Sequence, residues 1–146
     1  MFEIKECPDN ETIKELFIEY SHIQGAESCF VSFDKELNDL GGYYSGGAIM
    51  VGYEENKPVA CVAIRKISDT TCEMKRLFVR PEFRGNGFSR KMIQAIKDKA
   101  YELGFKEIML TTKPKVMPIG YAMYKRIGFE ELSEEDGTVS MRLNLV

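Results

Sequence analysis

The chain has 146 residues, and its 20 basic and 23 acidic side chains give a formal net charge of −3 at pH 7. This length predicts one domain spanning residues 1–146. Hydrophobic residues make up 44% of the chain and charged residues 29%, a balance that supports a real core and excludes disordered and fibrous classes. The negative charge also argues against a nucleic-acid partner, because neutralising phosphates usually requires a basic excess.

The cysteine and histidine content predicts no metal site. The four cysteines form no C-x-x-C pair, and His22 is the single histidine, so a tetrahedral zinc site lacks ligands. The first residues show no secretory signal, so we expect reduced thiols, Cys7 and Cys29 included, and a cytoplasmic location. The longest uncharged stretch, residues 40–53, is broken by five glycines and is too short for a membrane span.

The N-terminal half reads as one helix-containing segment followed by antiparallel strands. A strand is predicted at residues 2–6, and Asp9 and Asn10 start a helix whose apolar face includes Tyr20. A shorter helix is predicted at residues 34–40. The glycines that follow it predict a loop: Gly41, Gly42, Gly46 and Gly47. Three consecutive antiparallel strands are then expected, at residues 48–53, 58–67 and 71–79.

From Phe88 the apolar spacing changes to the helical period, and Gly104 marks the end of that helix. A strand is predicted at residues 106–112, and a helix at residues 118–127 starts with Pro118 in its first turn. Two closing strands are expected, at residues 129–132 and 138–144. Antiparallel strands followed by a strand-helix-strand unit predict an α/β (α+β) fold with a mixed, mostly antiparallel sheet and helices on both of its faces.

The junction between the strand at 71–79 and the helix at Phe88 carries the most informative motif. It reads Arg84, Gly85, Asn86, Gly87, Phe88, Ser89, followed by Arg90. The first N–H groups of a helix lack intrahelical acceptors, and glycines allow an anion to approach the backbone closely. A glycine pair alone is more often a tight turn beside solvated arginines, so the context has to decide.

Two common phosphate loops fit this junction poorly. The ATP-type loop needs G-x-x-x-x-G-K-[ST], and no Lys-Ser or Lys-Thr pair follows the glycines. The dinucleotide fingerprint G-x-G-x-x-G places Arg90 where its third glycine belongs. The preceding strand also contains Glu73 and Lys75, whereas the first strand of a doubly wound parallel sheet is nearly all apolar. A dinucleotide-binding oxidoreductase is therefore a weakly supported function, ranked third behind the two that are given at the end of this section.

The same residues resemble the GCN5-related N-acetyltransferase (GNAT) family. Residues 84–89 are similar to its coenzyme loop, [Q/R]-x-x-G-x-[G/A], with Ser89 as the last small residue. Residues 72–81 look like the family's central strand, and residues 122–129 look like its A-x-x-L-Y-x-x-x-G-F segment. Together with weaker similarity over residues 33–67, the resemblance covers about two thirds of the chain.

The resemblance implies a sheet splayed at the site of acetyl-coenzyme A, which would lie between the central strand and the next parallel strand. It implies that main-chain N–H groups of the loop hold the pyrophosphate: Arg84, Gly85, Asn86, Gly87, Phe88 and Ser89. Arg90 adds positive charge beside them. Phe78 and Val79 would present main-chain groups to the pantetheine arm.

Acetyl transfer to an amine needs a neutral amine, stabilisation of the tetrahedral oxyanion and protonation of the departing thiolate. Glu73 is the candidate base, acting through water, although it could equally be a surface residue paired with Lys75 or Arg76. Val79 N–H could donate to the thioester oxygen if the strand bulges there. Tyr124 is the candidate acid, and packing is its structural alternative.

These observations predict an acetyl-coenzyme A dependent N-acetyltransferase that modifies a primary amine of a small molecule or peptide. A coenzyme A binding module without catalysis is the second alternative. Glu27, Glu36 or bare water could replace Glu73 as the base, whereas His22 and Cys72 are expected to be structural. The sequence leaves open whether the protein forms a homodimer.

Overall fold

The computed structural model describes residues 1–6, 8–23, 30 and 32–145. Within this part of the chain, seven strands form one sheet: β1 (Phe2–Glu6), β2 (Ala48–Glu54), β3 (Lys57–Lys66), β4 (Thr71–Val79), β5 (Glu107–Thr112), β6 (Glu130–Glu135) and β7 (Thr138–Asn144). The helices that flank it are α1 (Asn10–Ser21), α2 (Phe33–Asn38), α3 (Leu40–Tyr43), α4 (Phe88–Glu102) and α5 (Pro118–Ile127). No helix among the described residues is long and apolar enough to cross a membrane.

The strand order is β1-β2-β3-β4-β5-β7-β6. Of the pairings in the described sheet, β4 with β5 is parallel and the others are antiparallel. The β4 and β5 pairing joins Thr71–Glu73 to Glu107–Met109 and stops there, so the two strands separate beyond Glu73. The predicted mixed, mostly antiparallel and splayed sheet is confirmed.

Two hydrophobic clusters cover the two faces of the sheet. On one face α4 buries five side chains: Phe88, Met92, Ile93, Ile96 and Ala100. On the other face α1 buries Ile13, Leu16 and Phe17. Full burial of such a side chain is worth about 1.5–3 kcal/mol, so these helices fix the sheet between them and hold β4 in its centre.

The first helix begins where the sequence predicted it, because the Asp9 carboxylate accepts the Thr12 N–H at 3.0 Å. The predicted glycine loop is partly wrong, since Gly41 and Gly42 lie within α3. The Asp39 carboxylate accepts the Gly42 N–H at 3.0 Å, and this cap supports a helical turn that glycine alone would disfavour.

The structure describes the side chains of two of the four cysteines that were predicted to be reduced. Cys61 and Cys72 are buried and free of disulfides. Burial raises the pKa of both thiols, that of Cys72 to about 12, so they are protonated and act as small core residues. Cys7 and Cys29 lie outside the described residues.

Candidate active site

A β-bulge interrupts β4 next to the point where β4 leaves β5. Ala63 of β3 lies opposite Lys75, whereas Cys61 lies opposite Phe78, so between these pairs one residue of β3 faces two residues of β4. The extra residue bends the strand at Arg76, whose φ is 63°. This left-handed conformation is uncommon for a residue with a side chain. The resemblance placed a bulge at Val79; the structure places it at Arg76.

The bulge decides which edge of β4 the later N–H groups face. Arg80 N–H donates to the Val59 carbonyl of β3 at 2.8 Å. Because successive N–H groups of a strand point to opposite edges, the Val79 N–H points away from β3. It therefore faces the gap between β4 and β5.

The junction that follows β4 has the geometry of an anion site. Gly85 and Gly87 adopt left-handed φ values of 84° and 77°, which glycine adopts at no steric cost. A Cβ added at either glycine would have no described atom within 4 Å. Gly87 is also the N-cap of α4 and supplies no side-chain cap. The N–H groups of the first turn of α4 therefore remain available to an anion.

The side chains of this loop have different surroundings. Arg84 Nε donates to the Val79 carbonyl at 3.0 Å, and Asn86 Nδ2 donates to the Phe83 carbonyl at 3.2 Å. Both contacts tie the loop to the chain before it. Arg90 is exposed and Ser89 half-buried in the first turn of α4, so both stand beside the junction.

The Phe88 side chain belongs to the core. It is 8% exposed, and its ring stacks on Phe2 with centroids 4.1 Å apart. Only the main chain of Phe88 can therefore face a ligand, which is the role the resemblance gave it.

A cavity of about 220 Å³ lies at the separation of β4 and β5 and brings Glu73 and Tyr124 together. Glu73 comes from β4 and Tyr124 from α5. Burial, and to a smaller extent the nearby Tyr20, raises the pKa of the Tyr124 hydroxyl well above its ordinary value. Tyr124 consequently keeps its proton at neutral pH, as a proton donor must.

The two basic residues considered as partners of Glu73 are engaged elsewhere. Lys75 Nζ donates to the Tyr43 hydroxyl at 2.7 Å, and Arg76 pairs with Glu36. Within the described ranges, no hydrogen bond or ion pair involves the half-buried Glu73 carboxylate. The alternative of a surface ion pair with these residues is therefore not realised.

Glu36 does not suit the alternative role of base. Its carboxylate accepts bonds from Arg76 Nε at 2.9 Å, Arg76 Nη2 at 2.6 Å and the Tyr44 hydroxyl at 2.7 Å. Burial alone would raise the pKa of Glu36, but the hydrogen bond and charge of Arg76 outweigh it and lower the pKa. Glu36 is thus an ionised, fully engaged residue. Glu27 lies outside the described residues.

Tyr20 is a cavity residue that sequence reasoning assigned to the apolar face of a helix. Its ring lies parallel to Phe78 with centroids 5.3 Å apart, and its hydroxyl donates to Met117 Sδ at 3.6 Å. Tyr20 and Met117 both line the cavity with Tyr124. The sequence signal that could have indicated this role is the hydroxyl group of Tyr20, a polar group on the otherwise apolar face near the end of α1.

Comparison with known proteins agrees with this architecture. The sequence profile of the Acetyltransferase (GNAT) family matches residues 10–129. An uncharacterized N-acetyltransferase of Schizosaccharomyces pombe is 30% identical over 131 residues, which cover 87% of this chain and 80% of that protein.

Solved structures share the fold. An acetyltransferase from Streptococcus agalactiae superposes with a TM-score of 0.81 at 22% identity, covering 98% of both chains. The PaiA N-acetyltransferase from Thermoplasma acidophilum, solved in complex with coenzyme A, gives a TM-score of 0.79 at 18% identity over 99% of both chains. With the profile spanning most of its length and the splayed sheet in place, the chain belongs to the GNAT family of N-acetyltransferases.

Proposed function

We propose that this protein transfers an acetyl group from acetyl-coenzyme A to a primary amine held in the cavity between β4 and β5. One observation carries the proposal. Glu73 and Tyr124, from different elements, line the same cavity, and the Val79 N–H faces the adjoining gap. A base, an acid and a main-chain donor are the three groups that acetyl transfer requires.

The residues of the β4–α4 junction fit coenzyme A. Its pyrophosphate would be held by N–H groups of residues 84–89, since Gly85 and Gly87 leave the backbone open and α4 begins without a side-chain cap. The gap beyond Glu73 gives the pantetheine arm main-chain partners at Phe78 and Val79. Acetyl-coenzyme A, when bound, supplies the acetyl group as a thioester. The coenzyme A complex of the Thermoplasma acidophilum relative supports this choice.

Glu73 prepares the acceptor. An alkyl ammonium has a pKa of about 10.4, so nearly all of it is charged at neutral pH and lacks a nucleophilic lone pair. The Glu73 carboxylate lies at the cavity without an ion-pair partner among the described residues. It is therefore available to attract the ammonium and to take its proton, directly or through one water.

Tyr124 and Val79 act on the thioester side. The Tyr124 hydroxyl is protonated at neutral pH and can donate a hydrogen bond to the departing sulfur, passing its proton on as negative charge develops there and regaining it from solvent. The Val79 N–H can donate to the carbonyl oxygen, where negative charge develops. Neither group needs to move far, because β4 and α5 are both anchored in the core.

The competing functions have weaker support. A coenzyme-binding module without catalysis would have no need for a carboxylate and a protonated phenol at one cavity. A dinucleotide oxidoreductase of the doubly wound type needs a parallel sheet, whereas β4 pairs antiparallel with β3. We also propose that residues 1–146 form one domain, because the sheet runs continuously from β1 to β6. A cytoplasmic homodimer stays a prediction.

The test is release of free thiol from acetyl-coenzyme A with a panel of amines: amino acids, polyamines, aminoglycosides and peptides with a free N-terminus or lysine. Acceptor-dependent release supports the proposal, and mass spectrometry of the product identifies an amide. Gly87→Glu is the control, because its carboxylate would stand where the pyrophosphate binds and should abolish coenzyme binding. Tight coenzyme binding with no thiol release across the panel would favour the binding module instead.

A further inference from the structure

We propose that the buried ion pair of Glu36 and Arg76 is a positioning device that holds the β4 bulge and so directs the Val79 N–H into the active-site gap. The proposal rests on the proposed function, because it assigns the Val79 N–H a task there. It gives a role to Glu36, a fully buried carboxylate of α2 that the chemistry does not otherwise use.

The bulge needs support because its conformation is unfavourable. Arg76 has a φ of 63°, and in that region the Cβ of an L-residue crowds the following carbonyl. Such a conformation persists only where the surrounding structure over-determines it. Glycine would adopt it without strain, yet the chain has arginine, a residue that can be held by its side chain.

Among the described residues, the support includes one carboxylate and two rings. Arg76 donates to both oxygens of Glu36, at 2.9 Å and 2.6 Å, which is the two-pronged geometry that arginine favours with carboxylates. The Tyr44 hydroxyl donates to the same carboxylate at 2.7 Å. The guanidinium carbon lies 4.1 Å and 5.4 Å from the ring centroids of Phe30 and Phe33. The side chain therefore has one favoured position.

The backbone of the bulge is also held from β3. Cys61 Sγ donates to the Arg76 carbonyl at 3.2 Å, and the pairing of β3 with β4 resumes at Cys61 and Phe78. The carbonyl and the side chain of Arg76 are thus fixed by different elements. Rotation of this residue out of the left-handed region would break both sets of contacts.

The register shows what the bulge does for the site. Before it, the pairs Arg65 with Glu73 and Ala63 with Lys75 define a register that, if continued, would place Val79 opposite Val59. The Val79 N–H would then join the β3 ladder. In the structure Arg80 takes that place and donates to Val59. One extra residue therefore turns the Val79 N–H from β3 to the gap.

Two double variants isolate the conformational effect. Glu36→Gln with Arg76→Gly and Glu36→Gln with Arg76→Ala both remove the two charges, and they differ by one methyl group. Glycine tolerates the left-handed conformation and alanine does not. We expect the glycine variant to keep kcat within about threefold of the native value and the alanine variant to lose about tenfold or more. The KM for acetyl-coenzyme A should rise in the alanine variant alone, since Phe78 and Val79 are proposed pantetheine partners and shift with the register, whereas residues 84–89 are unchanged in both.

The matched control is Glu19→Gln. It removes a different ion pair of the same region, between Glu19 and Arg80 at 2.9 Å, without touching the bulge. We expect it to lower the melting temperature while kcat per folded molecule is unchanged. If both double variants behave like this control, with equal kcat per folded molecule, Glu36 and Arg76 are merely structural and the proposal is overturned.

A readout independent of turnover uses isotope-labelled valine and hydrogen exchange by NMR. In the native protein the Val79 amide should exchange faster than that of Val51, which pairs with strands on both sides. In the alanine double variant its protection should rise, as the N–H returns to the β3 ladder. Native Val79 protection equal to that of Val51 would overturn the proposal. If no acceptor is acetylated, the proposed function fails. The comparison of amide exchange at Val79 and Val51 still tests whether the bulge directs the Val79 N–H into the gap.

Discussion

The two ends of α4 offer a matched pair of glycines that separates coenzyme binding from stability. Gly87 precedes the helix with φ of 77°, and Gly104 follows it with φ of 93°. A Cβ at either position would meet no described atom within 4 Å. Gly87→Ala and Gly104→Ala therefore impose the same kind of backbone strain, and only the first places a methyl group in the proposed pyrophosphate site.

The expected magnitudes follow from that difference. Each alanine should lower the free energy of unfolding by about 1 kcal/mol, because an L-residue is strained in the left-handed conformation. This loss should lower the melting temperature by about 3–4 °C. At a hundredfold excess over its dissociation constant, acetyl-coenzyme A should stabilise the native protein by about 2.7 kcal/mol. If the Gly87→Ala methyl group weakens binding about tenfold, the gain at the same concentration falls to about 1.4 kcal/mol.

The assay is thermal unfolding with and without acetyl-coenzyme A, combined with titration calorimetry for the dissociation constant. We expect both variants to melt lower without ligand, and only Gly104→Ala to keep the native ligand-induced shift. A pyrophosphate site at Gly87 is refuted if the ligand-induced shift shrinks equally in both variants. It is also refuted if Gly87→Ala binds acetyl-coenzyme A as tightly as the native protein, because the pyrophosphate then does not approach Gly87.

Three further predictions concern single side chains. Glu73→Gln should lower kcat about a hundredfold with unchanged coenzyme affinity, and should remove the acidic limb of the pH–rate profile; a retained limb would place the base elsewhere. Tyr124→Phe keeps the ring packing on Phe129 and should lower kcat about tenfold, whereas a lower melting temperature with full activity per folded molecule would make this tyrosine structural. The lowered pKa of Glu36 means that its ion pair is fully stabilising above the ordinary carboxyl pKa and is lost as pH falls through the lower folded value. The free energy of unfolding, measured with urea, should therefore fall less steeply with decreasing pH below about pH 4.5 in Glu36→Gln than in the native protein. The control Glu3→Gln, at an exposed position, should keep the native dependence on pH.

The parts of the structure that depend on short-range pattern were predictable from the sequence. The helix from Phe88 and the helix at Pro118–Ile127 follow from apolar spacing and from the residues at their ends. The loop at residues 84–89 combines glycines with a helix start, so the proposed anion site could be suggested from the sequence once the family resemblance set it apart from an ordinary tight turn. The consecutive antiparallel strands β2, β3 and β4 were also predictable, whereas the place of β7 between β5 and β6 was not predicted.

The bulge could not be located from pattern alone. A left-handed arginine has no local signature, because what holds Arg76 is Glu36, forty residues earlier. The same limit explains the misassigned glycines. Gly41 and Gly42 signal a loop by composition, whereas one hydrogen bond from the Gly42 N–H to the Asp39 carboxylate supports a helical turn there.

The two halves of the proposed active site, a coenzyme side and an acceptor side, differ in how they are built, and this decides what the sequence can reveal. The coenzyme side consists of main-chain groups of one continuous segment, residues 84–89, whose conformation is set by its own glycines. The acceptor side is assembled from side chains of separate elements: Tyr20 of α1, Glu73 of β4, and Met117 and Tyr124 before and within α5. Substitutions at Tyr20 or Met117 can therefore reshape the acceptor cavity while the anion loop stays intact. The proposed coenzyme side is therefore readable in the sequence of residues 84–89, whereas the acceptor has to be found by assay.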